Sequence, residues 1–225
     1  RIHQRLKHLL QKLLHQRQKR HRQRHNTIYI IQKKGQLKIE SAALFAKTKL
    51  LNKMDKNIYP IGKFEYGKSY SEADTQRHIQ ELELFPKQLK AIAAELTQAH
   101  LNKSYRPGGW NARQIVHHIA DSHMNAYIRI KLSITEDKPV IKPYDQDSWA
   151  ALKDSLELPI DCSLQLIESI HQRMLHVIKS VDKSMLQRSY IHPEYNREFK
   201  LDELIALYAW HGKHHAGHLT VIINS

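Results

Sequence analysis

Four histidines fall within eight residues near the C-terminus, in the run Trp210-His211-Gly212-Lys213-His214-His215-Ala216-Gly217-His218. The segment around them, roughly 201–223, has helical periodicity: at about 100° per residue, Leu204, Tyr208, Leu219 and Ile222 share one face. His215 falls at the centre of that face. His211 lies about 40° to one side, His218 about 60° to the same side and His214 about 100° round, while Lys213, Trp210 and Glu203 point elsewhere. Imidazoles on a helix's own apolar face constrain the fold, because each buried ring nitrogen needs a partner. A metal satisfies several at once, and His211 and His215, one turn apart, have the spacing that two ligands on one helix need. The alternative is a metal-free bundle whose histidines only form a polar core network.

A third ligand has to come from a facing helix. The best-marked one runs roughly 111–134. Gly108-Gly109 break the chain, Asn111 is an N-cap with Gln114 as its capping-box partner, and Trp110 with Ile115 can form a hydrophobic staple. This helix offers His117, His118 and His123. If its inner face centres on Ile115, Ile119, Ala126 and Ile130, His118 borders that face and His117 lies nearly opposite. Met124, Ile128 and Leu132 make the other side apolar too, so helical phase favours His118 without excluding His117. Three neutral imidazoles with open positions make a catalytic type of site. A metal there would acidify a water, polarise an oxygen or bind a thiolate. Imidazole suits zinc, nickel, copper or iron, so ligand type does not name the metal.

Two more helices are expected, roughly 72–98 (Ile79, Leu82, Leu89, Ile92, Leu96, with a kink at Pro86) and 163–187 (Leu164, Ile167, Ile170, Met174, Leu175, Ile178). No segment outside 1–53 alternates over strand length. The expected fold is therefore an all-α four-helix bundle, with a long connection, 135–161, between helices 2 and 3. That connection contains Pro139, Pro143 and Pro159 and a short helix near 145–153, and its length suits a lid. Asp145 and Trp149 on it could cap the site. His192, in the loop before the last helix, and His218 are candidate catalytic groups, with His218 better suited to supporting a ligand. Asp121 could orient a ligand imidazole. Cys162 has no neighbour in sequence that suggests a nucleophile.

Charge divides the chain. Residues 1–53 hold fifteen Lys/Arg and one acid, Glu40, whereas 54–225 hold 21 of each sign, so the net charge of +14 belongs to the first segment. We expect 1–53 to be a basic extension, disordered or non-native, with Met54 as the physiological start. A basic arm for nucleic acid or anionic lipid, or a transit peptide, would have similar composition. Residues 54–225 form the metal-binding domain. A lone cysteine excludes an internal disulfide framework and suits a reducing compartment. No run is long and apolar enough for a membrane span.

Residues 58–225 resemble the DinB superfamily, in particular its YfiT-like group of metal-dependent hydrolases. The matching runs are Tyr59-Pro60-Ile61-Gly62, Gly108-Gly109-Trp110 and Arg113-Gln114-Ile115-Val116-His117-His118-Ile119-Ala120-Asp121-Ser122-His123-Met124-Asn125, then Lys142-Pro143-Tyr144-Asp145, Trp149, Leu152-Lys153-Asp154-Ser155, His192-Pro193 and Leu207-Tyr208-Ala209-Trp210-His211 with His214-His215. The resemblance implies a four-helix bundle with one divalent transition metal per subunit, zinc or nickel, on His118, His211 and His215. It also implies a cytoplasmic homodimer acting on a small molecule, as a hydrolase or, as in the bacillithiol transferases, as a thiol S-transferase. The family's usual run has a further histidine at the position of Lys213. Membrane binding is not implied, and nucleic-acid binding would rest on the basic segment alone.

Overall fold

A computed structural model describes residues 56–225, so the basic extension at 1–53 and the expected start at Met54 lie outside the described residues. Four long helices form the bundle: α1 (Glu72–Ala93), α3 (Ala112–Thr135), α6 (Asp161–Ser180) and α7 (Leu201–Ile223). Between them lie the short helices α2 (Gln98–Leu101), α4 (Gln146–Ala150) and α5 (Lys153–Glu157), a 3-10 turn (Lys183–Gln187) and the strands β1 (Ser189–His192) and β2 (Arg197–Lys200). α1 packs on α6 and α7, and α3 packs on the same two, so α1 and α3 sit diagonally. Of the successive long helices only α3 and α6 are neighbours, so the connections from α1 to α3 and from α6 to α7 must cross an end of the bundle.

Local chemistry sets the ends. Ser71 and Asp74 form a capping box at the start of α1, and Asn111 and Gln114 form the expected one at the start of α3. α1 stops at Ala93, short of the expected 98, because Thr97 caps a new helix, α2. α6 stops at Ser180 rather than 187, because Val181 is extended and a 3-10 turn follows. The single short helix expected near 145–153 is two, α4 and α5. Asp145 caps α4, accepting from the backbone N–H groups of Asp147 and Ser148 at 3.1 Å each.

The strands were not expected. β1 and β2 form an antiparallel hairpin, with Ser189 opposite Lys200 and His192 opposite Arg197. Four-residue strands are too short for alternation to register. The hairpin is held by burial of Tyr190 against Phe199, whose rings stack 5.5 Å apart, and Asn196 turns its loop with a positive φ of 46°. Backbone bonds between Ile141 and Ile191, and between Ile191 and Pro139, tie the long connection to this hairpin. Among the described residues no helix is long and apolar enough to cross a membrane.

Candidate metal centre

α7 carries the histidine run into the core because two glycines let other segments approach it closely. A Cβ on Gly212 would lie 2.8 Å from the Phe85 ring of α1, and one on Gly217 would lie 2.7 Å from Pro60. α3 brings His118 to the same place. His118, His211 and His215 each point one ring nitrogen into a common space, all three nitrogens lying within 4.8 Å of one another. His118 Nε2 and His211 Nε2 are 3.3 Å apart. Two imidazole nitrogens bound near-tetrahedrally to one metal at about 2.0–2.1 Å would be separated by about 3.3 Å.

The hydrogen bonds behind these rings fix which nitrogen faces the centre. His171 Nδ1 lies 2.8 Å from the Leu82 carbonyl, which can only accept, so Nδ1 carries the proton. His171 Nε2 then accepts from His123 Nδ1 at 2.7 Å, and His123 Nε2 accepts from His211 Nδ1 at 3.2 Å. A neutral His211 is left with its lone pair on Nε2, facing the centre. The second ligand of α7 is set the same way. His218 Nε2 donates to the Ile58 carbonyl at 3.1 Å, so His218 Nδ1 accepts from His215 Nδ1 at 3.3 Å, leaving the His215 Nε2 lone pair free. Two backbone carbonyls thus determine the tautomers of two ligands.

The Leu82 carbonyl is available because of Pro86. In a regular helix it would accept from the backbone N–H of residue 86, which proline lacks. The residue expected to bend α1 therefore anchors the longer relay. Phe85, pressed against Gly212, stacks on His123 and lies beside His171, with ring centroids 5.5 and 5.6 Å away.

Other histidines are placed differently. His117 turns to the opposite side, its Nδ1 2.7 Å from Ser163 Oγ and its Nε2 3.2 Å from the Leu158 carbonyl. His214 is buried, which the wheel position alone did not suggest; it stacks on Trp210 at 4.4 Å and its Nδ1 has no partner among the described residues. His214, His215 and His218 form a second close trio. Both His218 nitrogens are already engaged, so that trio is better read as support for His215 than as another metal site. Glu203, expected to face away, is buried and held by Arg197 and the Gly67 N–H. Asp121 makes no contact with a ligand among the described residues; burial and nearby Asp154 raise its carboxyl to about 6. His123 takes the orienting role instead. Trp149 packs on Tyr144 at 4.4 Å, and Cys162 is exposed.

Burial keeps the cluster neutral. It lowers His118, His171 and His214 to about 4, and takes His123, His211 and His215 well below the ordinary imidazole value of 6.5. Between about pH 4 and 6.5 the unfolded chain therefore binds protons that the folded protein refuses, so acid favours unfolding. The urea midpoint of the metal-free protein should be flat above pH 6.5 and fall steeply from there to about pH 4. A flat profile through that window would mean that these rings are not buried as neutral groups.

Two cavities border His211. One, about 550 Å³, is lined by His211, Ser122, Arg129, Tyr144, His192 and Tyr208 among others. The other, about 540 Å³, is lined by His211, His215, Tyr105, Trp110 and His214 among others.

Comparison with known proteins agrees with this architecture. The family model of the DinB superfamily matches residues 81–219. A protein of Halalkalibacterium halodurans named "Putative metal-dependent hydrolase BH0277" is 45% identical over 163 residues, covering 72% of this chain and 94% of its own length. A Bacillus cereus (strain 03BB102) protein with the same descriptive name is 47% identical over 162 residues, covering 72% and 92%. Among solved structures, YfiT from Bacillus subtilis, described as "a probable metal-dependent hydrolase with an unusual four-helix bundle topology", superposes with a TM-score of 0.72 at 40% identity, covering 74% of this chain and 95% of that one. A mycothiol-dependent maleylpyruvate isomerase, 15% identical with a TM-score of 0.54 over 64% of this chain and 60% of that one, shares the fold.

Proposed function

This chain belongs to the DinB superfamily, and on that premise we propose that it is a metal-dependent hydrolase of a small molecule, with one divalent transition metal on His118, His211 and His215. The observation that carries this reading is the convergence of three imidazoles, two with lone pairs set toward one point by carbonyl-anchored relays. Zinc or nickel suits such a donor set. When bound, the metal would supply Lewis acidity and acidify a water.

The chain's own residues supply the rest. His192, expected in a loop, ends β1, is buried, and lies on the wall of the cavity that His211 also lines. Its Nδ1 has no partner among the described residues, and burial together with the charge of Arg129 holds its pKa below the ordinary value. A neutral imidazole in that position can take a proton from an attacking water and return it to a leaving group. His218, with both nitrogens committed, is assigned to positioning His215 rather than to proton transfer.

A second reading, a thiol S-transferase, is favoured by one observation: two cavities of similar size border His211, giving room for a thiol and an electrophile. One screen of the metal-loaded protein separates the two, with esters and amides in one arm and low-molecular-weight thiols with electrophiles in the other. We expect ester or amide hydrolysis, with His192→Ala reducing kcat by about 10²-fold or more and metal content unchanged. Thiol conjugation without hydrolysis would replace the leading reading with the second, and turnover in neither arm would contradict both.

A further inference from the structure

Arg129 is 8% exposed, yet its guanidinium forms no salt bridge and donates no hydrogen bond to any described residue. It lines the 550 Å³ cavity beside His211, where Ser122, Tyr144, Tyr190 and Tyr208 contribute hydroxyl groups. A cation held mostly out of bulk water with no counter-charge is costly, and an anion entering the cavity would offset that cost. The carboxylates nearby do not serve. Glu203 is engaged by Arg197, Asp145 on the cavity wall is engaged by the start of α4 and the Ser148 hydroxyl, and Glu194, which also lines the cavity, is exposed and makes no ion pair with Arg129.

The placement relates Arg129 to the metal centre. His118, Ser122 and Arg129 share one face of α3, with Arg129 about three turns beyond His118. Helical side chains lean toward the N-terminus of their helix, which for Arg129 is toward His118. Ser122 lies between, its Oγ 3.4 Å from His211 Nε2 and 3.4 Å from the Tyr208 hydroxyl. One unpaired guanidinium matches a single negative charge, and its planar fork matches a carboxylate.

We infer that Arg129 receives a carboxylate of the substrate, holding one end of the molecule in this cavity while the other end reaches the centre formed by His118, His211 and His215. The inference rests on the reading of that centre as the reacting site. The substrate class is therefore a small carboxylic acid carrying the scissile or electrophilic group some bonds away from the carboxylate.

The test is calorimetric binding of butyrate, its neutral isostere butyramide and inorganic phosphate to the metal-loaded full chain, for wild type, Arg129→Gln and Arg129→Lys. Wild type should bind butyrate about 10- to 100-fold more tightly than butyramide. Arg129→Gln should abolish that preference, and Arg129→Lys should keep part of it. Butyrate, but not butyramide, should also protect Arg129 of the wild-type protein from phenylglyoxal, read by peptide mass, a measurement that needs no variant to fold. Equal binding of the two probes overturns the inference. So does butyrate affinity unchanged in Arg129→Gln, which would put the carboxylate on the metal, or tighter binding of phosphate than of butyrate. Turnover is not read, so butyrate selectivity through Arg129 in a protein that hydrolyses nothing would support this inference while removing the hydrolase reading.

Discussion

Replacement of His211 by alanine should take bound metal from one equivalent per chain to none detectable by elemental analysis after dialysis, and abolish turnover with it. His211 joins the parts of the site. Its Nε2 faces His118 Nε2 at 3.3 Å, its Nδ1 is held by His123, and it borders both cavities. Its removal deletes a ligand and also strands the His123 Nε2 lone pair in the core. The loss of affinity should therefore exceed the roughly 10–100-fold typical of an orienting partner. His118→Ala and His215→Ala should behave in the same way. His214→Ala is the control, because His214 is buried nearby but points no nitrogen at the three-histidine centre. Full occupancy in His211→Ala, with the variant folded by circular dichroism, would contradict the assignment.

The second large effect should come from residues that never touch the metal. His123→Leu removes the acceptor that holds the His211 proton on Nδ1, so His211 can populate the tautomer whose Nε2 is protonated and cannot bind. Metal affinity, measured by competition with a chromophoric chelator, should fall about 10–100-fold. His171→Leu should act through His123 in the same direction. His171→Gln should stay close to wild type, because one amide can donate to the Leu82 carbonyl and accept from His123 Nδ1. A purely structural role would make both His171 variants alike in metal affinity once folded. Pro86→Ala offers the Leu82 carbonyl a competing intrahelical N–H and should give a smaller loss of affinity while the helix itself becomes more stable. Affinity in His123→Leu equal to wild type would show that the relay does not set the ligand's tautomer.

The four long helices and the inward turn of His211 and His215 were legible because they depend on local periodicity and capping, as in the Asn111 and Gln114 box. Helical phase alone could not decide between His117 and His118, since both faces of α3 are apolar and both residues are buried. The structure separates them through tertiary partners: Ser163 and Leu158 draw His117 to one side, and the α7 rings meet His118 on the other. The relay was beyond sequence reading for the same reason. His171 occupies a core position of α6 between Ile170 and Met174, which is a signal of burial, and Pro86 marks a free carbonyl. Nothing local says that these meet 89 residues apart, through the Leu82 carbonyl. Arg129 was hidden within an amphipathic helix, where a cation ordinarily indicates a solvated face. The hairpin was missed because Tyr190 and Phe199 supply its hold through packing on each other, with too few residues for alternation to show.

The measurement that tests the central claim most directly is a crystal structure of the metal-loaded protein with anomalous data collected at the metal edge. The account predicts one peak per chain, about 2.0–2.1 Å from the Nε2 atoms of His118, His211 and His215, with the hydrogen bonds from His211 to His123 and from His215 to His218 retained. A peak among His214, His215 and His218, coordination of His211 or His215 through Nδ1, or no peak after loading would contradict it.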